Sequence, residues 1–223
     1  MKFPLRRAAA ALLLLPCNGS TLAAKPVVKP NAATLSFNVT ARIAVKDGPS
    51  SSPEQTVNAK VYASGNRVRL ESKLGATPVV FLYAPPYAYK LLPTSKTGVR
   101  FPASAMPVGG SGTSFNLQAM LRNPAALRAS MQKRGARNLG KAQMSGVPVD
   151  IYAANSFLFL GQTFKAKTWL RHSDALPLRL ELTSPKASVI VSWRNYQRNQ
   201  VLPKTLFAVP AGYSVRSRAQ SPG

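Results

Sequence analysis

Acids, histidine and cysteine are all scarce in this chain: 6 Asp+Glu stand against 30 Lys+Arg, with one His and one Cys in 223 residues. The lone Cys17 cannot form an intramolecular disulfide. One histidine and six dispersed acids supply no cluster with metal-ligand spacing, so neither a metal nor a cofactor is expected. His172 stands in the turn Arg171-His172-Ser173-Asp174-Ala175-Leu176 with no serine on a glycine elbow beside it, and is expected to face solvent. Asp47, Glu54 and Asp174 read as loop or turn residues. Glu71, Asp150 and Glu181 read as outward strand positions, and no glycosidase-type pair is signalled. Gly109-Gly110-Ser111-Gly112 lacks the Gly-Lys-Ser/Thr of a phosphate loop and reads as a flexible link. No catalytic residue is assigned, and the chain does not read as an enzyme.

Long apolar runs are missing too. Ala8–Leu15 is far shorter than the roughly 20 residues of a spanning helix. It follows a basic start (Lys2, Arg6, Arg7) and precedes Thr21-Leu22-Ala23-Ala24, which is the layout of a cleavable export signal. Residues 1–24 are therefore expected to be a signal peptide and 25–33, with Pro26 and Pro30, a Pro-rich leader. The mature protein would be soluble in the periplasm or cell envelope. Cys17 follows Pro16 rather than a small residue, so lipidation is not expected. Removal of the signal lowers the net charge from +24 to +21. In an exported protein the natural anions are phospholipid headgroups, lipopolysaccharide, acidic wall polymers or extracellular DNA. The cations are scattered without a run of five, so a generally basic, solubilising surface explains them equally well. A dedicated nucleic-acid partner is not expected.

Alternation dominates the remainder. Leu35, Phe37, Val39, Ala41, Ile43 and Val45 share one face of a strand. Val57, Ala59, Val61 and Ala63 point inward on the next, Gly65-Asn66 turns the chain, and Val68 and Leu70 return. Val79 to Ala84 is apolar on both faces, Pro85-Pro86 breaks it, and Tyr87 to Leu92 resumes. Residues 95–112 read as loop. Phe115, Leu117, Met120 and Leu121 then take helical spacing. Leu127 and Met131 follow four apart behind Asn123-Pro124, closed by Gly135. Strands resume after Gly146: Val147–Ala153, Phe157–Arg171, Leu176–Ser184, Ser188–Gln197, Lys204–Ala208 and one from Tyr213. About ten strands with hairpin-scale connections make an antiparallel meander that must curl into a barrel or part-barrel. The single domain spans 34–217, and 218–223 reads as a disordered tail.

The stretch Phe164-Lys-Ala-Lys-Thr-Trp-Leu-Arg-His-Ser-Asp-Ala-Leu-Pro-Leu-Arg-Leu-Glu-Leu182 resembles a strand pair of the outer-membrane lipoprotein-sorting proteins (LolA/LolB-like) and their periplasmic relatives. Residues 196–215, with Phe207 leading into Pro210-Ala-Gly212, are similar to that family's ending. The middle, from Asn66-Arg67-Val68 to Tyr83-Ala-Pro85, is similar as well. The resemblance implies a mainly β fold with a short helical insertion: an unclosed antiparallel β-barrel, or half-barrel, covered by helices over about 114–134. It also implies a hollow that takes acyl chains. The family's early-strand Arg-Pro, whose arginine closes the helical lid, has no counterpart at Ala63-Ser64-Gly65. That role is absent or moved to Arg67 or Arg69, and the family's long N-terminal helix is also missing.

The function so implied is that of an exported carrier or binder of lipid or lipoprotein acyl chains. The expected lining of hollow and lid is Val39, Ile43, Val61, Leu70, Phe81, Tyr83, Leu117, Met120, Leu127, Met131, Trp169 and Trp193. For Trp169 and Trp193 ordinary core packing is the favoured alternative to lining the hollow. Two alternatives use the same chain differently: an envelope regulator or adaptor acting through a protein partner, and a secreted binder of anionic polymer.

Overall fold

Strict alternation makes the first strand, β1 (Thr34–Val45), in which Leu35, Phe37, Val39, Ala41, Ile43 and Val45 are all buried. The computed structural model describes residues 34–45, 53–103, 125–133, 135–159 and 162–217. The other strands are β2 (Gln55–Ser64), β3 (Arg67–Leu74), β4 (Thr77–Ala84), β5 (Tyr87–Leu92), β6 (Thr97–Pro102), β7 (Arg137–Met144), β8 (Val147–Phe159), β9 (Gln162–Arg171), β10 (Pro177–Thr183), β11 (Ala187–Arg198) and β12 (Ser214–Ser217). Among the described residues there is one α-helix, α1 (Ala125–Lys133), and one 3₁₀ turn at Lys204–Phe207. All strands join one open sheet, in the order β12-β6-β5-β4-β3-β2-β1-β11-β10-β9-β8-β7. No helix among the described residues is long and apolar enough to cross a membrane.

The chain divides into two compact units. The first, built on Val39–Val57 and Val108–Arg194, contains the β7–β11 meander and α1. Registered pairs fix its faces. Leu180 lies opposite Val191 and Thr168, and Leu182 opposite Val189 and Ala166. Phe164 lies opposite Phe157, and Thr168 opposite Tyr152. Residues directly opposite project to the same side, so these form one buried face with Trp193 two residues beyond Val191. Pro177 cannot donate to the ladder, and the β9–β10 register shifts between Pro177 and Arg179.

The second unit, built on Gly19–Asn38, Asn58–Pro107 and Asn195–Gly223, contains the antiparallel β2–β6 run. β12 closes it by pairing parallel to β6, so the meander is not antiparallel throughout. Val61, Leu70 and Phe81 form one cross-strand row. On the other face Tyr62, Arg69, Leu82 and Tyr89 form another. The 3₁₀ turn packs on β3 and β4, and Arg69 Nη1 donates to the Leu206 carbonyl at 3.2 Å. Val79, Val80, Phe81 and Leu82 are therefore buried on both faces of β4, with Phe207 buried in the turn.

Several expectations are corrected. Residues 97–102 form β6, not loop; Gly98 and Pro102 interrupt an otherwise strand-like alternation. Residues 137–144 form β7, invisible to alternation because nearly every residue of this end strand is exposed. Phe157-Leu158-Phe159 ends β8 instead of opening β9, after a register shift between Ala154 and Phe157. Lys204–Phe207 is a 3₁₀ turn rather than a strand: Leu206 N–H donates to the Pro203 carbonyl and Ala208 N–H to Thr205. The described residues form twelve strands, against the expected ten or so. α1 ends as expected, with Gly135 at φ +82° and its N–H bonded to the Gln132 carbonyl. The expected first helix, around Phe115–Leu121, lies outside the described residues.

Candidate functional site

Two features of the first unit make the site: the apolar face of β8–β11 and the place where α1 is tied to that face. Phe157, Phe164, Leu180, Leu182, Val191 and Trp193 are buried on this face, Trp193 to 3% exposure. The alternation of β9 and β11 puts every second residue there.

Nothing in the sequence pattern announces the tie. Alternation places Asp150 outward, yet it is 6% exposed. It projects to the apolar face, because its register partner is Leu170 and Leu170 is fully buried. A buried carboxylate needs charged or hydrogen-bonding partners, and Asp150 has both. Its Oδ2 accepts from Arg128 Nη2 of α1 at 2.8 Å, and its Oδ1 lies 2.8 Å from His172 Nδ1. Arg128 Nη2 also reaches the carbonyls of Arg171, at 3.1 Å, and of His172. One guanidinium thus joins the helix to the start of β8 and to the β9–β10 turn. Arg128 Nε is buried beside it without a hydrogen-bond partner among the described residues.

The turn itself is braced. Asp174 accepts from Arg171 Nε at 2.7 Å and Nη2 at 2.5 Å, and from the Leu176 N–H at 3.2 Å. The His172 N–H donates to the Pro148 carbonyl at 2.9 Å, and Ala175 takes φ 58°. His172 is exposed in its turn, as expected, but it is also the partner of Asp150. Next to the tie, burial first and the Asp150 charge second push the Tyr152 phenol above its ordinary range, while Arg128 pulls it back. This arrangement holds a helix on a sheet. Among the described residues no three His, Cys, Asp or Glu side chains gather as metal ligands.

The expected lining residues fall in several places. Val39 and Ile43 are buried on β1 and belong, with Trp193, to the first unit. Val61, Leu70 and Phe81 form their row in the second unit, with Tyr83 half-buried one row on, opposite Val68. Leu127 and Met131 lie on α1, Met131 half-buried. Leu117 and Met120 lie outside the described residues. Trp169 stands on the face of β9 opposite the one that Trp193 shares, in a row with Ile151, Arg179 and Ser192. Arg69, considered for a lid latch, binds Glu71 at 2.7 Å and Leu206 instead.

No family model matches this sequence, and no curated protein matches it. Solved structures do. An uncharacterized conserved protein from Thermus thermophilus is 13% identical, with 83% of this chain and 90% of that chain covered and a TM-score of 0.55. A LolA superfamily protein from Nitrosomonas europaea is 11% identical over 92% and 96% of the two chains, with a TM-score of 0.38. LprF from Mycobacterium bovis is 12% identical over 76% and 88%, with a TM-score of 0.42. At such identities the likeness concerns the fold. One of these structures, the protein from Nitrosomonas europaea, bears the LolA name of the family that the strand motifs resemble.

Proposed function

We propose that the protein is an exported carrier or binder of lipid or lipoprotein acyl chains, working in the periplasm or cell envelope. The single observation that carries the reading is the apolar face of β8–β11 with α1 tied to it through Arg128 and Asp150. Phe157, Phe164, Leu180, Leu182, Val191 and Trp193 offer an acyl chain a continuous hydrocarbon and aromatic surface. Each methylene buried there contributes about 0.8 kcal/mol. The segment carrying Leu117, Met120, Leu127 and Met131 would cover the chain, and methionine suits a cover that must fit varied acyl shapes. Val39 and Ile43 would extend the same lining. The half-barrel form of the sheet, with helices over its hollow, is part of the proposal.

Native mass spectrometry of protein purified from envelope extract without strong detergent tests it, followed by analysis of any released lipid. A retained lipid or acylated peptide is the expected result. A clean unliganded mass in every preparation, even after incubation with a fatty-acylated peptide, overturns the reading. A stoichiometric protein partner recovered with that clean mass would replace it with the adaptor function.

A further inference from the structure

The described acids are all taken up by arginines. Glu54 pairs with Arg42, Glu71 with Arg69, Asp150 with Arg128, Asp174 with Arg171 and Glu181 with Arg179. The lysines, with arginines outside these pairs such as Arg137, present the protein's excess positive charge, and on one surface of the first unit they have a particular setting. On the face of β8–β10 opposite the apolar one, Lys167 lies in a row with Ala153 and Glu181, and Arg137 of β7 lies opposite Ala153. Lys165, two residues before Lys167, projects to the same side. Arg137 and Lys165 are exposed. Between the cations sits Trp169, half-buried, with Lys167 Nζ 4.9 Å and Arg179 Cζ 5.7 Å from its ring centre. Ile151 and Ile190, also half-buried, complete the surface. Its one carboxylate, Glu181, is held by Arg179 Nη2 at 2.6 Å and so does little to offset Arg137, Lys165 and Lys167.

We infer that this face, centred on Trp169 and carrying Arg137, Lys165 and Lys167, docks the protein onto an anionic phospholipid bilayer. The geometry favours a bilayer over a linear polymer. Lys165 and Lys167 are spaced by about 7 Å along β9, and Arg137 stands about 10 Å to the side across two strand spacings. The three charges define a plane rather than a line, on an open sheet face. A plane of headgroup phosphates can meet all three at once, whereas a single polyanion strand follows a row. Lysine suits the task, since its long stem lies along apolar surface while the ammonium stays at headgroup level. The indole of Trp169, apolar in body and polar at its N–H, suits the same depth. The apolar face of the unit is left free, so docking and acyl-chain burial use different surfaces.

The test is sedimentation of the purified protein with vesicles of phosphatidylcholine, with and without phosphatidylglycerol, at several salt concentrations. The native protein is expected to bind only the anionic vesicles and to release as salt rises. Each near-surface cation is worth about fivefold in partitioning, so R137Q/K165Q/K167Q is expected to weaken binding about a hundredfold. The charge-matched K60Q/K73Q/K204Q, in the second unit, is expected to weaken it less than tenfold. Tryptophan emission should change on vesicle binding in the native protein and stay constant in W169F. Equal losses in the two triple variants overturn the proposal. So does binding to phosphatidylcholine alone, or capture by dextran sulfate without capture by anionic vesicles. Acyl-chain retention is read separately by mass, so either result stands without the other.

Discussion

Asp150 Oδ2 lies 2.8 Å from Arg128 Nη2, so a carboxylate buried near the start of β8 holds a helix through one guanidinium. The same carboxylate meets His172 through its other oxygen. Removing one member leaves the other largely buried with only its remaining bonds, Asp150 with His172 or Arg128 with the Arg171 and His172 carbonyls, which costs more than the pair is worth in isolation. Arg128 retains some exposure, so the cost stays below that of a fully buried pair. R128A and D150N are each expected to destabilise by about 1–3 kcal/mol in urea unfolding, and the double variant by less than the sum. Amide exchange over 125–133 should accelerate in both single variants. If exchange there is unchanged in R128A, the tie does not hold the helix.

Tyr152 gives the tie a signature in alkali. Its phenol is raised by burial and by Asp150, so the folded protein keeps its proton at pH values where the unfolded chain has lost it. Stability from this residue is complete below the ordinary tyrosine range near pH 10. It is lost as pH rises through that range towards the folded value. A phenolate absorbance titration should show one tyrosine ionising after the others, and that late step should vanish in Y152F. In D150N the step should move earlier, since one cause of the shift is gone.

These contacts mark how far the sequence could be read. Alternation exposed β1, β2, β9 and β11, because each turns one face to water and one to the core. It missed β7, whose residues meet solvent on nearly every side, and mistook Leu206-Phe207 for a strand when they are a plug on β4. Asp150 looked outward because a carboxylate among alternating residues usually is. Its partner Arg128 is 22 positions away, and no local pattern announces such a pairing. The two tryptophans looked equivalent by composition, yet one register places them on opposite faces. Only Leu127 and Met131 of the expected lid lie within the described residues, on a helix whose glycine stop was legible.

Phe207 shows what covers the second apolar face of β4. It is 5% exposed in a 3₁₀ turn fastened to β3 by Arg69. F207A removes a buried ring from the turn that packs on β3 and β4 and leaves a cavity, so a cost of about 3–5 kcal/mol is expected in thermal or urea unfolding. F207L keeps most of the volume and should cost less than half of that. Equal losses in both would mean that the turn is held by its backbone bonds rather than by its ring.

Gly98 sets the approach of β6 to β5. Its register partner is Leu91, itself 1% exposed. A Cβ on Gly98 would fall 2.6 Å from Leu91 Cδ2 and 3.1 Å from the Lys90 carbonyl oxygen. The methyl group has little room to swing aside in a buried site, and the carbonyl is backbone, so the two strands must part slightly. G98A is expected to cost about 1–3 kcal/mol, by overpacking rather than by backbone strain. The diagnostic is the double variant. L91A alone opens a cavity and destabilises, but L91A/G98A should be more stable than the sum of the single effects, because the new methyl enters the space the leucine vacated. Strict additivity would show that the clash is relieved elsewhere, and that Gly98 is not what lets β6, with β12 on its far side, pair so closely with β5.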